Sequence, residues 1–166
     1  AVICIEDPLR EEAPSVIRQL KEAGFKRIVM MTGDSERTAA AIAKKVGVDD
    51  YFSEVLPEDK ARFVEEEKAK GRKVIMIGDG INDSPALSAA DAGIAVSEGA
   101  EIAREIADIM IKKDSLDEVV LLRHLSMDLM KRVHGNYRFV ISFNLGLILL
   151  GVAGIITPSM SALLHN

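Results

Sequence analysis

Short apolar runs alternate along this chain with stretches whose apolar residues recur every three or four positions, and the pattern changes character after residue 115. Runs at residues 2–5, 27–31, 51–55, 73–77, 93–96 and 108–111 are rich in aliphatic and β-branched residues and read as strands. Residues 11–23, 36–46, 58–70, 84–90 and 99–106 carry the helical period between them. Strands separated by helices of this length predict an α/β fold, a Rossmann-like parallel sheet covered on both faces. In such sheets the reactive groups gather beyond the carboxyl ends of the strands.

From residue 116 the helical pattern runs on without a strand. A polar, basic approach with Lys131, Arg132, His134 and Arg138 leads into residues 139–156, which carry no charge. That length suits a transmembrane helix, and Gly146, Gly151 and Gly154 are compatible with one. Pro158 is expected to end it, and the basic approach places its amino end in the cytoplasm. The competing reading is a helix buried in a soluble core. The expected organisation is residues 1–115 as one α/β domain, 116–138 as a helical connector, 139–157 as the membrane helix and 158–166 as the start of another. No internal repeat or low-complexity segment is present.

Composition narrows this further. At 166 residues the chain is long enough for one domain core and short for a multidomain transporter. A formal charge of −5, from 26 acidic and 21 basic residues, leaves no electrostatic footprint for nucleic acid. The single cysteine, Cys4, sits in an apolar run and reads as a small buried hydrophobe. The sequence opens in a strand-like run with no initiating Met or basic leader, so it is expected to be a piece of a longer protein.

Three strand-to-loop junctions carry polar groups: Asp7-Pro8, Thr32-Gly33-Asp34, and the run from Gly78 through Asp79, Gly80, Ile81 and Asn82 to Asp83. Asp79 and Asp83, four residues apart among glycines, suit a hard cation such as Mg²⁺, which takes carboxylate oxygens and keeps several waters. The Thr32 hydroxyl and the backbone beside Gly33 can hold phosphoryl oxygens, and Lys60 can neutralise their charge. Each has a plainer reading. Asp34, Asp79 and Asp83 could cap the helices that follow them, and Asp7 could be a turn former. Lys60 could be an exposed helix lysine, and Asp91 closes a turn. Met30, Met31 and Met76 are core residues rather than soft-metal ligands.

With these residues in view, the chain resembles the P-type ATPases, within the haloacid dehalogenase superfamily. GDGINDSPAL at residues 78–87 is similar to the hinge motif of those pumps, and DPLR at 7–10, MTGD at 31–34 and PEDK at 57–60 match their other motifs in order. The resemblance implies that Asp79 coordinates Mg²⁺, with Asp83 and Asn82 completing the metal and phosphate surroundings. Thr32 would bind the phosphoryl group, Lys60 would stabilise its charge, Gly33 and Asp34 would shape the loop, and Asp7 would pass the signal between domains. The family's nucleophilic aspartate lies in a DKTGT motif that this sequence lacks. The acceptor motif, the nucleotide-binding domain that takes ATP as substrate and the earlier membrane helices are therefore expected in an N-terminal part, and this chain is expected to be inactive alone.

The passage from AADAGIAV through one linker to a helix pair resembles the heavy-metal-transporting branch, integral to the plasma or inner membrane with its phosphorylation domain cytoplasmic. On that reading the partners are membrane lipid and a transported transition-metal ion. Asn144, an amide within the apolar span, and His165, a good borderline-metal ligand, are candidates to bind that ion. Either could instead serve packing alone. The alternatives are a P-type pump for another cation, a soluble phosphatase of the same superfamily, and a non-catalytic α/β signalling module, which leaves Lys60 unexplained.

Overall fold

The computed structural model describes residues 9–79, 82–96, 105–111, 116–155, 157 and 160. Helix α1 (Ala13–Glu22) leads to strand β1 (Val29–Met31), helix α2 (Glu36–Val46) to β2 (Asp50–Phe52), and helix α3 (Pro57–Ala69) to β3 (Ile75–Gly78). Helix α4 (Ser84–Ala89), strands β4 (Ala92–Val96) and β5 (Ile109–Ile111), and the 36-residue helix α5 (Asp117–Val152) complete the order. Helices α1, α3 and α4 each carry a proline in the first turn, Pro14, Pro57 and Pro85. There the missing N–H costs nothing and the fixed φ already suits a helix.

Among the described residues every strand pairing is parallel, as the alternation predicts: β1 with β2, and β3 with β4 with β5. The described strands form two hydrogen-bonded groups rather than one ladder. The expected strand at 2–5 and most of the expected helix at 99–106 fall outside the described residues. The expected strand at 51–55 ends at Phe52, because residues 53–56 turn back to the β1 loop and Glu54 takes a positive φ of 53°.

Two apolar clusters hold these layers. Val16 and Leu20, one turn apart on α1, pack with Ile94, Ile111, Val119 and Val120. Val64 of α3 packs with Met76, Ala86 and Leu87, and Val64 and Leu87 are each 1 % exposed. Burying a side chain of that kind contributes about 1.5–3 kcal/mol.

Acids at the amino ends of the strands act as staples. Asp49 accepts the N–H of Ile28 at 2.8 Å, Asp91 that of Val74 at 2.9 Å, and Asp108 that of Gly93 at 2.8 Å. Each therefore satisfies a backbone donor at the start of the neighbouring strand. The Lys21 ammonium at 2.6 Å and then the Ile28 N–H hold Asp49 below the usual carboxylate range. Val74 and Lys73 do the same for Asp91.

The chain divides into two compact units, residues 1–123 and 124–166. Helix α5 begins in the first and continues into the second; it is long and apolar enough to cross a membrane, and its residues Phe139, Leu145, Ile148 and Leu149 are exposed. Helix α5 stops at Val152, not at Pro158. Gly154 takes a φ of +73°, its N–H bonds Gly151 O at 3.0 Å, and the Ile155 N–H reaches Leu150 O at 3.0 Å. This left-handed cap closes the helix before the proline is reached.

Candidate functional site

Beyond the carboxyl end of β1, the Thr32 hydroxyl donates to Asp34 Oδ2 at 2.8 Å and its oxygen accepts the Asp34 N–H at 3.1 Å. Asp34 thus shapes its own loop and does not cap α2. The N-cap is Ser35, whose hydroxyl lies 3.2 Å from Thr38 Oγ1. The loop is tied to the next segment: the Thr32 N–H donates to Phe52 O at 3.0 Å, Val55 N–H to Thr32 O at 3.0 Å, and Glu54 N–H to Asp34 O at 2.9 Å. Glu36, in the first turn of α2, accepts the Tyr51 hydroxyl at 2.7 Å and the Ser53 hydroxyl at 2.6 Å. Those two bonds, Ser53 first, hold the Glu36 carboxylate below its ordinary range.

The segment held in this way opens α3, the helix that carries Lys60. The Lys60 N–H bonds Leu56 O at 3.2 Å, and its ammonium reaches Asp83 Oδ1 at 2.7 Å. The two side chains are only 15 % and 12 % exposed. Lys60 is therefore no solvated surface lysine; it and Asp83, 23 residues apart, are brought together at one place. Asp83 occupies the N-cap position of α4, yet its carboxylate makes no cap bond. Its carbonyl takes the Leu87 N–H at 2.9 Å while the carboxylate turns to Lys60.

Asp79, exposed at the end of β3, accepts the Asn82 N–H on Oδ1 at 3.3 Å. One oxygen of Asp79 so helps to fold the loop. Among the described residues no group of three or more His, Cys, Asp or Glu side chains could hold a metal. The donors present, the carboxylates of Asp79 and Asp83, fit a hard divalent cation as part of a shell completed by water and phosphate oxygens. Asp7 and His165 lie outside the described residues, and Asn144 is half-buried in α5. A surface cleft of about 280 Å³ lies beside the β1 loop, walled by Met31, Phe52 and Phe63. None of Thr32, Lys60, Asp79 or Asp83 lines it, so the cleft is not where the polar groups converge.

Sequence reasoning missed a second charged centre. Glu67 of α3, buried at 6 % exposure, accepts Lys70 at 2.8 Å, Arg72, and Arg27 at 3.4 Å. Lys70 first and Arg72 next hold its carboxylate down at about 2. It joins the approach to β1 to the approach to β3. The run Glu65-Glu66-Glu67 hid it, since one buried member of such a run looks like any other.

Comparison with known proteins follows the same lines. A family model described as haloacid dehalogenase-like hydrolase matches residues 1–91. A manganese-exporting P-type ATPase of Mycobacterium leprae is 39 % identical over 166 residues, covering 99 % of this chain and 23 % of that protein. A copper-transporting ATPase of Rhizobium meliloti is 42 % identical over 164 residues, covering 99 % of this chain and 20 % of its own length. Among solved structures, a zinc-transporting PIB-type ATPase in its E2.Pi state superposes with a TM-score of 0.78 at 34 % identity, covering 95 % of this chain and 26 % of that one. The catalytic domain of the CPx-ATPase CopB-B gives a TM-score of 0.61 at 32 % identity, covering 66 % of this chain and 44 % of that one. The chain thus spans about a fifth to a quarter of the length of these curated relatives.

Proposed function

The chain belongs to the haloacid dehalogenase-like hydrolase family, and on that premise we propose that it is the phosphoryl-handling and first following membrane segment of a heavy-metal-transporting P-type ATPase. The observation that carries this reading is the Lys60–Asp83 ion pair at 2.7 Å beside Asp79, which unites two of the expected motifs in one partly dry place. In a shielded site a fixed ammonium stabilises developing phosphoryl charge far better than in water.

In the proposed reaction the Thr32 hydroxyl and the backbone at Gly33 meet phosphoryl oxygens, while Asp34 holds the Thr32 hydroxyl in place. Asp79 and Asp83 would hold Mg²⁺, with Asn82 fixing the turn between them. When bound, that ion would supply positive charge to neutralise the phosphate. Lys60 faces the same charge and is aimed by Asp83. Asp7 would relay between domains. No DKTGT occurs in the sequence, so the acceptor aspartate and the site for ATP would come from elsewhere in the protein, and this chain alone should hydrolyse no ATP.

The α/β unit would lie in the cytoplasm and α5 would enter lipid. Its uncharged helical stretch from 139 to 152 spans about 21 Å at 1.5 Å per residue, short of the roughly 30 Å of hydrocarbon. A crossing helix would therefore draw on residues before 139, with Arg138 snorkelling to the headgroups. Exposure of Phe139 at 69 % argues against a helix buried in a soluble phosphatase. Asn144 within the span, and His165, would face the transported transition-metal ion.

Asp79→Asn in the full-length protein should abolish the Mg²⁺-dependent phosphoenzyme formed from labelled ATP. Phosphoenzyme at the wild-type level would show that Asp79 is not needed to hold the cation.

A further inference from the structure

We propose that Gly78 is a positioning residue for phosphoryl transfer: the absence of a side chain at the end of β3 lets Asp83 seat there and so aims the Lys60 ammonium. The proposal rests on the reading of Lys60 as the group that meets phosphoryl charge. Gly78 does not have the positive φ found at Gly24, Gly47, Gly71 and Gly154, so the backbone conformation does not demand glycine. Space does. A Cβ on Gly78 would fall 2.4 Å from Asp83 Oδ2, 2.6 Å from Asp83 Cβ and 2.9 Å from Asp83 Cγ. Ordinary contact begins at 3.4 Å, so the two residues would have to part by about 1 Å.

Asp83 cannot yield by turning its side chain. The contact at 2.6 Å is to Cβ, whose place is fixed by the backbone, so no rotamer relieves it. The backbone is held on both sides: Gly78 pairs with Ala95 in the parallel ladder, and the Asp83 carbonyl takes the Leu87 N–H of α4. Swinging the carboxylate away would in addition break its 2.7 Å bond to Lys60. One methyl group at Gly78 is therefore transmitted, through Asp83, to a charge on another helix. A misplacement of about 1 Å at a reacting group costs roughly a hundredfold in rate.

The test is a cycle of Gly78→Ala, Asp83→Gly and the double variant in the full-length protein, read by phosphoenzyme formation and by thermal unfolding. Gly78→Ala should slow phosphoenzyme formation roughly hundredfold with the KM for ATP unchanged, because nucleotide capture lies elsewhere. Its loss of melting temperature should vanish once Asp83→Gly removes the colliding atoms. Should Gly78→Ala fail to fold, recovery of folding in the double variant supports the proposal and continued failure overturns it. A wild-type phosphorylation rate in Gly78→Ala, or an equal melting loss in both backgrounds, overturns it too. If the unaltered protein forms no phosphoenzyme, the pump reading fails, while the melting cycle still decides whether Gly78 acts through Asp83.

Discussion

Replacing Lys60 with Met removes the charge that faces Asp83 while keeping most of the side chain's length. At 2.7 Å and an effective dielectric of about 20, the pair attracts by about 6 kcal/mol before the cost of taking both ions from water. That cost is several kcal/mol per ion, so the net value of the pair is small; breaking it is a different matter, because one ion stays behind. Asp83 is 9 % exposed, and stranding a buried charge costs about 3–5 kcal/mol. The side chains keep 15 % and 12 % of their exposure, which places Lys60→Met at about 3 kcal/mol. Asp83→Asn should cost less, about 1–2 kcal/mol, since the flexible lysine can turn to solvent. The double variant should then lose about 2 kcal/mol less than the sum. Urea unfolding in a fixed detergent measures this. The sequence has no Trp and two Tyr, so Tyr137→Phe leaves Tyr51, on β2, as the reporter of the α/β unit. A coupling below about 0.5 kcal/mol would show a solvated surface pair and refute the shielded site.

Other consequences are more direct. Leu87→Ala, at a position 1 % exposed and packed with Val64, Met76 and Ala86, should cost about 2–5 kcal/mol in the same unfolding assay. The Glu67 carboxylate, held at about 2 against an ordinary 4.5, contributes stability that is full above pH 4.5 and lost as pH falls toward 2. The melting difference between wild type and Glu67→Gln should therefore shrink across that window, and a difference constant from pH 6 to 2 would contradict it. Thr32→Ala should depress phosphoenzyme formation in the full-length protein while Thr32→Ser retains it, because only the hydroxyl is used; equal loss in both would make the methyl group the relevant part. The chain should float with phospholipid vesicles after carbonate washing, and Leu145→Arg should abolish this; flotation unaffected by that charge would place the helix outside the hydrocarbon.

Much of the fold was legible because each element declared itself locally. Helix α2 was bounded by the sequence at its observed limits, residues 36–46, and the parallel pairing followed from strands separated by helices. Legibility failed where a long-range contact outweighed a local preference. Asp34 and Asp83 stand where helix-capping acids stand, yet one is taken by a hydroxyl two residues back and the other by a lysine 23 residues away. Pro158 was the obvious helix stop, but a left-handed glycine four residues earlier terminates α5 first. The second apolar cluster offered no such conflict at Met76, read as a core residue and found packed with Val64, Ala86 and Leu87.

The acids themselves sort by which end of a strand they occupy. Asp49, Asp91 and Asp108 each stand immediately before a strand and each spend an oxygen on a neighbouring strand's N–H. The signal for them was in the chain: an aspartate directly ahead of an apolar run at three of the strands. Such a carboxylate is committed, because releasing it leaves a backbone donor unsatisfied, a loss of about 1–3 kcal/mol. Asp34, Asp79 and Asp83 instead follow strands β1 and β3, and their partners are a hydroxyl, a turn N–H and a flexible lysine's ammonium. Those partners can be exchanged for phosphate oxygens or a cation without unpairing the sheet. Division of labour between the two edges is thus a matter of what each acid would have to give up, and it explains why residues of one type, in one α/β unit, serve cohesion at one edge and are available for chemistry at the other.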